Sequence, residues 1–262
     1  IAGGVGLNCS LNGKIHDLKL FKKIFVQPAS GDSGLALGGL YLSIKNKISS
    51  NKDLSKEFNN YLGSEFSDSE IRREIKSKRL KYKKPSNIFK DVAKLIKEGK
   101  IVAWFQGSSE FGPRALGNRS ILCKPYPANM KDYLNNRVKF REYFRPFAPA
   151  VLEEKYKEYF NLNQISPHML IACKVKKNKS NQIPAVVHVD NSCRVQTVSK
   201  NTNLKFYNLI KEFYNLTSIP VLLNTSFNIK GQPMVNTPEQ AINTFKNTNI
   251  DILVIGNYII TK

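Results

Sequence analysis

Apolar residues change their spacing along the chain, and each change predicts an element. Phe89, Val92, Ala93 and Ile96 recur on one helical face, with Ser86 or Asn87 placed to cap its start and Gly99 to stop its end. Residues 100–105 (KIVAWF) are a short, β-branched apolar run, the mark of a buried strand, and they deliver the chain into Gln106, Gly107 and a glycine-rich loop. Helix, strand, glycine loop is the order of an α/β fold, where ligands commonly sit at strand ends. The same reading predicts strands over residues 23–27 (KIFVQ), 147–152, 169–175 and 219–223. It predicts helices over 131–138, 153–160 and 204–216, and an apolar helix after the turn PASGDSG. Residues 184–198 (PAVVHVDNSCRVQTV) look like a hairpin turning at Asp190 and Asn191. Thr237, Pro238 and Gln240 open a helix that runs to about Asn247, and residues 251–256 close the sheet.

Residues 49–87 break the pattern, being charged and poor in apolar positions. One helix is expected there, over residues 68–78 behind the capping-box pattern of Ser67 and Glu70, and the stretch as a whole reads as an interdomain linker. The remaining composition is globular: 262 residues, 41% hydrophobic, can bury a proper core. No run approaches the roughly 20 apolar residues of a membrane span and the first residues lack a signal-peptide pattern, so a cytoplasmic location without a membrane partner is the default expectation. Cys9, Cys123, Cys173 and Cys193 form no CxxC pair and read as reduced, buried thiols.

The net charge of +21 and pI of about 9.8 raise nucleic acid as a partner. It is discounted, because the excess is mostly lysine scattered through a sequence rich in Asn and Ile. The basic segment 72–84 reads either as a contact or as a solvated linker face. Arginine is distributed differently: of the nine, six fall between Arg114 and Arg194. A guanidinium is a rigid fork of donors suited to phosphate and carboxylate, so Arg114, bracketed by Gly112 and Gly117 and beside Pro113, together with Arg119 in the loop EFGPRALGNRSI (110–121), points to an anion site. The alternative is a surface turn whose arginines pair with acidic neighbours. A second basic group, Lys139, Arg141 and Arg145, is interleaved with Phe140, Tyr143, Phe144 and Phe147, which are core residues or base-stacking platforms. His188 beside Asp190, close to Arg194, reads as acid/base pair, ligand contact or structural hydrogen bond. Asn224, Thr225, Ser226 and Asn228 form a row of small polar side chains at a strand end, suited to ribose or phosphate, or to capping a turn. Gly3 and Gly4, ahead of Asn8, place backbone amides where a helix begins. Asp32, between two glycines, reads as a helix cap or a metal ligand, and His16 as a surface residue.

EFGPRALGNRSI, KFREYFRPFAPA (139–150), PAVVHVDNSCRVQTV and PVLLNTSFNIKGQPMV (220–235), taken in that order, resemble the C-terminal half of the O-carbamoyltransferases, the nodulation-factor and antibiotic carbamoyltransferases. The resemblance implies an α/β fold with a mixed sheet: a YrdC-like domain over residues 88–262, preceded by the end of an actin-like ATPase domain over residues 1–48 and the linker at 49–87. It implies that ATP, with Mg2+, and carbamoyl phosphate yield carbamoyl adenylate, whose carbamoyl group passes to a hydroxyl-bearing small-molecule acceptor. Arg114, Arg119, Lys139, Arg141, Arg145 and Arg194 would be the catalytic donors. Gly3, Gly4, Asn8, Gln106, Gly107, Ser108, His188, Asn224, Thr225, Ser226 and Asn228 would hold nucleotide and carbamoyl phosphate. Asp32 matches the position of a ligand to a divalent metal, with iron the expected element, whose histidine partners belong to an N-terminal half that this chain would need as its partner. On that reading the chain carries at most the adenylating half-reaction. It departs from the family pattern at Ser108, where an arginine is usual, at Gln232 of GQPMV, and in VDNSCRVQTV. Those departures admit a nucleotide-binding module without turnover as an alternative, and the charge admits an RNA-modification relative.

Overall fold

The computed structural model describes residues 1–44, 59–142 and 144–262. Side-chain caps in the sequence start several of its helices. A 3-10 turn at Gly4–Leu7 leads into helix α1 (Cys9–Asp17), whose Leu11 amide donates to the Asn8 side chain. A second 3-10 turn, Asp32–Gly34, precedes α2 (Leu35–Ile44). The Ser67–Glu70 capping box opens α3 (Asp68–Ser77), and Asn87 caps α4 (Ile88–Lys97). Strands β1 (Val102–Phe105) and β2 (Arg119–Cys123) flank the glycine loop. Helix α5 (Met130–Leu134) runs into a π turn at Asn135–Lys139, followed by β3 (Ala148–Leu152), α6 (Tyr156–Tyr159), β4 (Phe160–Asn161) and β5 (Ala172–Val175). After α7 (Lys177–Ser180) come β6 (Ser192–Arg194), β7 (Gln196–Val198), α8 (Leu204–Thr217) and β8 (Val221–Ser226). The chain finishes with α9 (Pro238–Lys246) behind the Thr237–Gln240 capping box, β9 (Ile252–Ile255) and β10 (Tyr258–Thr261).

The sheet is mixed, with seven strands in the order β10-β9-β1-β2-β8-β3-β7. The pairs β1/β9 and β3/β7 are parallel and the others antiparallel. Alternation along the strands divides the core in two. Val102, Trp104, Leu122 and Leu222 meet α4 and α8 on one face, while Ala103, Phe105, Ile121 and Leu223 meet α3, α9 and a three-stranded sheet, β4-β5-β6, on the other. The end of β1 and the start of β2 therefore project the glycine loop from the middle of a sheet buried on both sides.

Several expectations are corrected. The described part of the polar stretch is no spacer: Ile71 and Ile75 of α3 are buried in the core, and Lys83 bridges to Ile259. Its residues 49–58 lie outside the described residues, as does Tyr143. Residues 23–27 form no strand, because among the described residues no strand lies beside them. The Gln164 amide takes that place, donating to Ile24 O and accepting from Ile24 N at 2.8 and 2.9 Å. Residues 184–198 are not a simple hairpin. Residues 190–191 do turn, with Asn191 left-handed, but the returning chain divides at buried Val195, so that β6 pairs with β5 and β7 with β3.

The N-terminal segment is seated on the rest by close backbone approach. A Cβ at Gly13 would lie 2.3 Å from Ala172 O on β5, and one at Gly112 in the arginine loop 3.0 Å from Pro28 O. The Asn12 amide donates to both Gly6 O and Leu170 O at 2.8 Å. By contrast, none of the residues of apolar α2 is buried.

Candidate functional site

Residues 115–119 of the glycine loop are held almost atom by atom. Gly117, at φ +105°, has its α-carbon against the Phe206 ring, where a Cβ would come within 2.1 Å. Its N–H donates to Ser120 Oγ at 3.0 Å. The Leu116 carbonyl accepts from Tyr61 Oη (2.9 Å) and Gln196 Nε2 (2.8 Å), and the Ala115 carbonyl from Asn224 Nδ2 (3.2 Å). Buried Glu110 completes the frame, with Oε1 accepting from the amides of Leu116 (2.7 Å), Asn118 (2.8 Å) and Arg119 (3.2 Å). A glycine-rich loop at a strand end would ordinarily offer such amides to a phosphate. Here they are occupied by the protein's own carboxylate, so anion recognition falls to side chains.

The two arginines of this loop have opposite surroundings. Arg119 is fully buried, lies 3.7 Å from the centre of the Phe105 ring, and donates to Gln106 O (2.7 Å), Gly107 O (3.1 Å), Asn118 O (3.1 Å) and Ser64 O (2.9 Å). It is a structural knot, and this arrangement contradicts the expectation of a catalytic donor. Gln106, Gly107 and Ser108 belong to the same knot: Gln106 Nε2 donates to Gly256 O, and the Ser108 hydroxyl to Glu65 Oε2 at 3.1 Å. Arg114 is only partly exposed and meets no carboxylate; its buried Nε has no acceptor. Burial, then the neighbouring charge of Arg194, pushes the Arg114 guanidinium down to about 10.

Arg194, on β6, joins the two basic groups of the sequence. Its guanidinium is lowered by burial, with the Cys9 thiol at the start of α1 lying against it, and its Nε is likewise buried without an acceptor. On its other side stands Arg141, pushed down to about 10 by burial and then by Arg145 and Arg194. Arg141 stacks 4.5 Å from the centre of the buried Phe147 ring and donates to Asn135 Oδ1 and Pro146 O at 2.8 and 3.3 Å. Arg145 is half-exposed, with Glu142 Oε2 at 3.8 Å as its one carboxylate neighbour among the described residues. Among the described residues, Arg114, Arg141 and Arg194 have no carboxylate within 4 Å. Four guanidiniums thus form a continuous cationic field along β6, the arginine loop and the segment after the π turn. Phe147 is core, whereas Phe140 and Phe144 are exposed.

Lys139 lies behind this field rather than in it. It is 3% exposed, and Nζ donates to Ser226 O and Oγ (2.5 and 3.2 Å) and to Asn228 O and Oδ1 (3.0 and 2.8 Å). Burial, then Arg141 and Arg145, pushes the ammonium down to about 7, against the four oxygens that favour its charged form. Ser226 and Asn228 are therefore turned to the lysine, Asn224 braces the arginine loop, and Thr225 pairs in the ladder opposite Ile121. Of the three readings of His188, the acid/base pair has no direct His188–Asp190 hydrogen bond among the described residues. Asp190, held down at about 2 chiefly by the Ser192 hydroxyl, bonds Ser192 and Lys174, while His188 Nδ1 faces Ser192 Oγ at 3.2 Å. Burial, helped by Arg194 and Lys131 against the opposing pull of Asp190, lowers His188 and so favours the neutral imidazole.

At the N-terminal end, Gly3 and Gly4 are exposed with open space beside them, and the Asn8 side chain is used as the α1 cap. His16, expected at the surface, instead packs its ring against Asn163. Asp32 is exposed, and among the described residues no group of three or more His, Cys, Asp or Glu is gathered that could hold a metal ion. The residues present do not by themselves fit a metal centre. A separate cavity of about 1030 Å³ lies between segment 22–26 and the loops around residues 59–62 and 163–171; none of the basic residues of the field lines it.

Glu110, which frames the loop through three amides, is a residue that the arginine-centred reading passed over, although it stands in the same motif. Its signal was a carboxylate followed by two glycines in a loop otherwise read for cations.

Residues 93–262 match the family described as carbamoyltransferase C-terminus, and residues 1–40 that described as carbamoyltransferase N-terminus. The chain is 42% identical over 268 residues to nodulation protein NolNO of Sinorhizobium fredii (strain NBRC 101917 / NGR234), covering 100% of this chain and 39% of that protein. With nodulation protein NolO of Bradyrhizobium diazoefficiens the identity is 41%, covering 100% and 49%. With the uncharacterized protein sll1178 of Synechocystis it is 40%, covering 100% and 47%. The chain thus spans about half or less of the length of these curated relatives. Among solved structures, full-length HypF in its phosphate- and nucleotide-bound form is similar over 66% of this chain and 24% of that one, at 21% identity and a TM-score of 0.43.

Proposed function

The chain belongs to the carbamoyltransferase family, and from that premise we propose that its cationic field activates the carbamoyl donor for transfer to a hydroxyl. Carbamoyl phosphate and MgATP are the substrates of this step. Water releases inorganic phosphate from carbamoyl phosphate; a carbamate oxygen then attacks the α-phosphorus of ATP, and pyrophosphate leaves with the electrons of the broken P–O bond. The carbamoyl adenylate formed passes its carbamoyl group to a hydroxyl-bearing small molecule in the complete protein.

The obstacle is electrostatic. Two like unit charges 4 Å apart repel by about 4 kcal/mol at a near-surface dielectric, and both substrates are polyanions. The single observation that carries the reading is the field of Arg114, Arg141, Arg145 and Arg194, in which, among the described residues, Arg114, Arg141 and Arg194 are partly desolvated with no carboxylate within 4 Å and only Arg145 has one, Glu142. Such charges are held ready for phosphoryl oxygens and need little reorganisation when these arrive. Half-exposed Arg145 stands at the rim to capture the donor, and Arg114 and Arg194 hold it deeper. His188, beside Arg194 and lowered by burial, can in its neutral form accept a hydrogen bond without adding charge. Pyrophosphate release that requires ATP and carbamoyl phosphate together tests the reading. ATP binding without release in the presence of both would favour a module without turnover.

A further inference from the structure

We propose that Glu110 is the positioning residue of the arginine field: its carboxylate fixes the loop from which Arg114 is aimed. This rests on the reading above and adds a residue to it. One oxygen, Oε1, gathers three backbone amides from residues 116–119, so the side chain spans the loop that contains Arg114 and closes it from inside. Glu110 is 7% exposed, its second oxygen is buried without a hydrogen-bond partner, and no basic side chain lies within 4 Å of it among the described residues. A carboxylate that served only to neutralise an arginine would face a guanidinium. This one faces amides, and it denies them to an incoming phosphate. With these three amides taken, the Arg114 side chain is the charged anion-binding group that the loop presents, and its backbone stands in sequence between Glu110 and the amides that Glu110 holds. Tyr61 and Gln196 clamp Leu116 O from the other side, so that loss of the carboxylate releases the N–H groups while these carbonyl clamps remain.

The test compares Glu110→Gln, which keeps an acceptor at Oε1, with Glu110→Leu, which keeps the bulk and removes it. Two readouts are taken on the folded, purified chain: the order of the Arg114 Nε–H group by 15N relaxation, and the Kd for carbamoyl phosphate and for ATP by 31P NMR. Arg114 is expected to be as ordered in the Gln variant as in the parent and to gain motion in the Leu variant. Carbamoyl phosphate binding should weaken about 10-fold or more in Leu and less than about 3-fold in Gln, as expected for loss of a charge-assisted contact. Glu110→Leu and Arg114→Ala should be strongly non-additive when combined. Unchanged Arg114 order in the Leu variant, or additive effects on the Kd, would overturn the proposal. Failure of the parent to bind either donor would refute the functional reading, while the relaxation measurement would still decide the role of Glu110.

Discussion

Arg114 and Arg119 stand five residues apart in one loop, carry the same side chain, and do opposite things. Arg119 is buried with its donors directed at four backbone carbonyls, and it fastens the ends of β1 and β2 to residue 64. Arg114 feels the charge of another guanidinium, Arg194, and among the described residues has no carboxylate within 4 Å. A folded protein tolerates the first because its terminal guanidinium nitrogens donate to four carbonyls, although its Nε, like that of Arg114, is buried without a partner. It tolerates the second only at a cost in electrostatic energy, and a ligand with several negative oxygens would relieve that cost. Unneutralised charge, more than arginine content, marks the functional part of this loop.

The contrast is broken most forcefully by Arg119→Met. Removing the guanidinium leaves four carbonyls without that donor, and we expect a loss of about 3–5 kcal/mol in unfolding free energy, read from the urea midpoint. The fraction that remains folded should bind donor normally. Arg114→Ala should do the reverse: a melting temperature within a few degrees of the parent, and affinity for carbamoyl phosphate lower by about 10- to 100-fold, corresponding to one or two charge-assisted hydrogen bonds. If Arg114→Ala unfolded the chain and Arg119→Met spared it, the two assignments would have to be exchanged.

A smaller effect separates Lys139 from the field in front of it. Its pKa in the folded chain, about 7, lies below the ordinary lysine value, so unfolding takes up a proton between those limits. The contribution of Lys139 to stability therefore rises as pH increases from about 7 toward the lysine range, and is constant below it. The melting-temperature difference between the parent and Lys139→Met should shift in favour of the parent from pH 7 to 9, and stay level between pH 5 and 6. A flat difference throughout would place the Lys139 pKa outside this window.

What could be read in the sequence was what short stretches decide for themselves. The capping boxes at Ser67 and Thr237, the helical face of Val92 and Ile96 and the strand around Trp104 depend on neighbours a few residues away, and all are present. Residues 23–27 have a strand's composition, but a strand needs a ladder partner and Gln164 supplies only an amide. The division of residues 192–198 between two sheets depends on β5 and β3, which lie elsewhere in the chain. Basic residues were legible as a group, and four of the six meet in one field. Which arginine is knotted to carbonyls and which is left bare depends on residue 64, on Glu110 and on the approach of β6. Those are facts of tertiary placement that a motif does not carry.

The central claim is that the arginines of the field, not the arginine-rich loop as such, handle the carbamoyl donor. It is tested most directly by incubating the chain with ATP, Mg2+ and carbamoyl phosphate and measuring carbamoyl adenylate by mass spectrometry, for the parent and for Arg145→Ala. Arg145 is half-exposed, so its removal leaves the fold standing. Adenylate from the parent and none from a folded Arg145→Ala variant is the predicted result. Equal amounts of adenylate from both would contradict it.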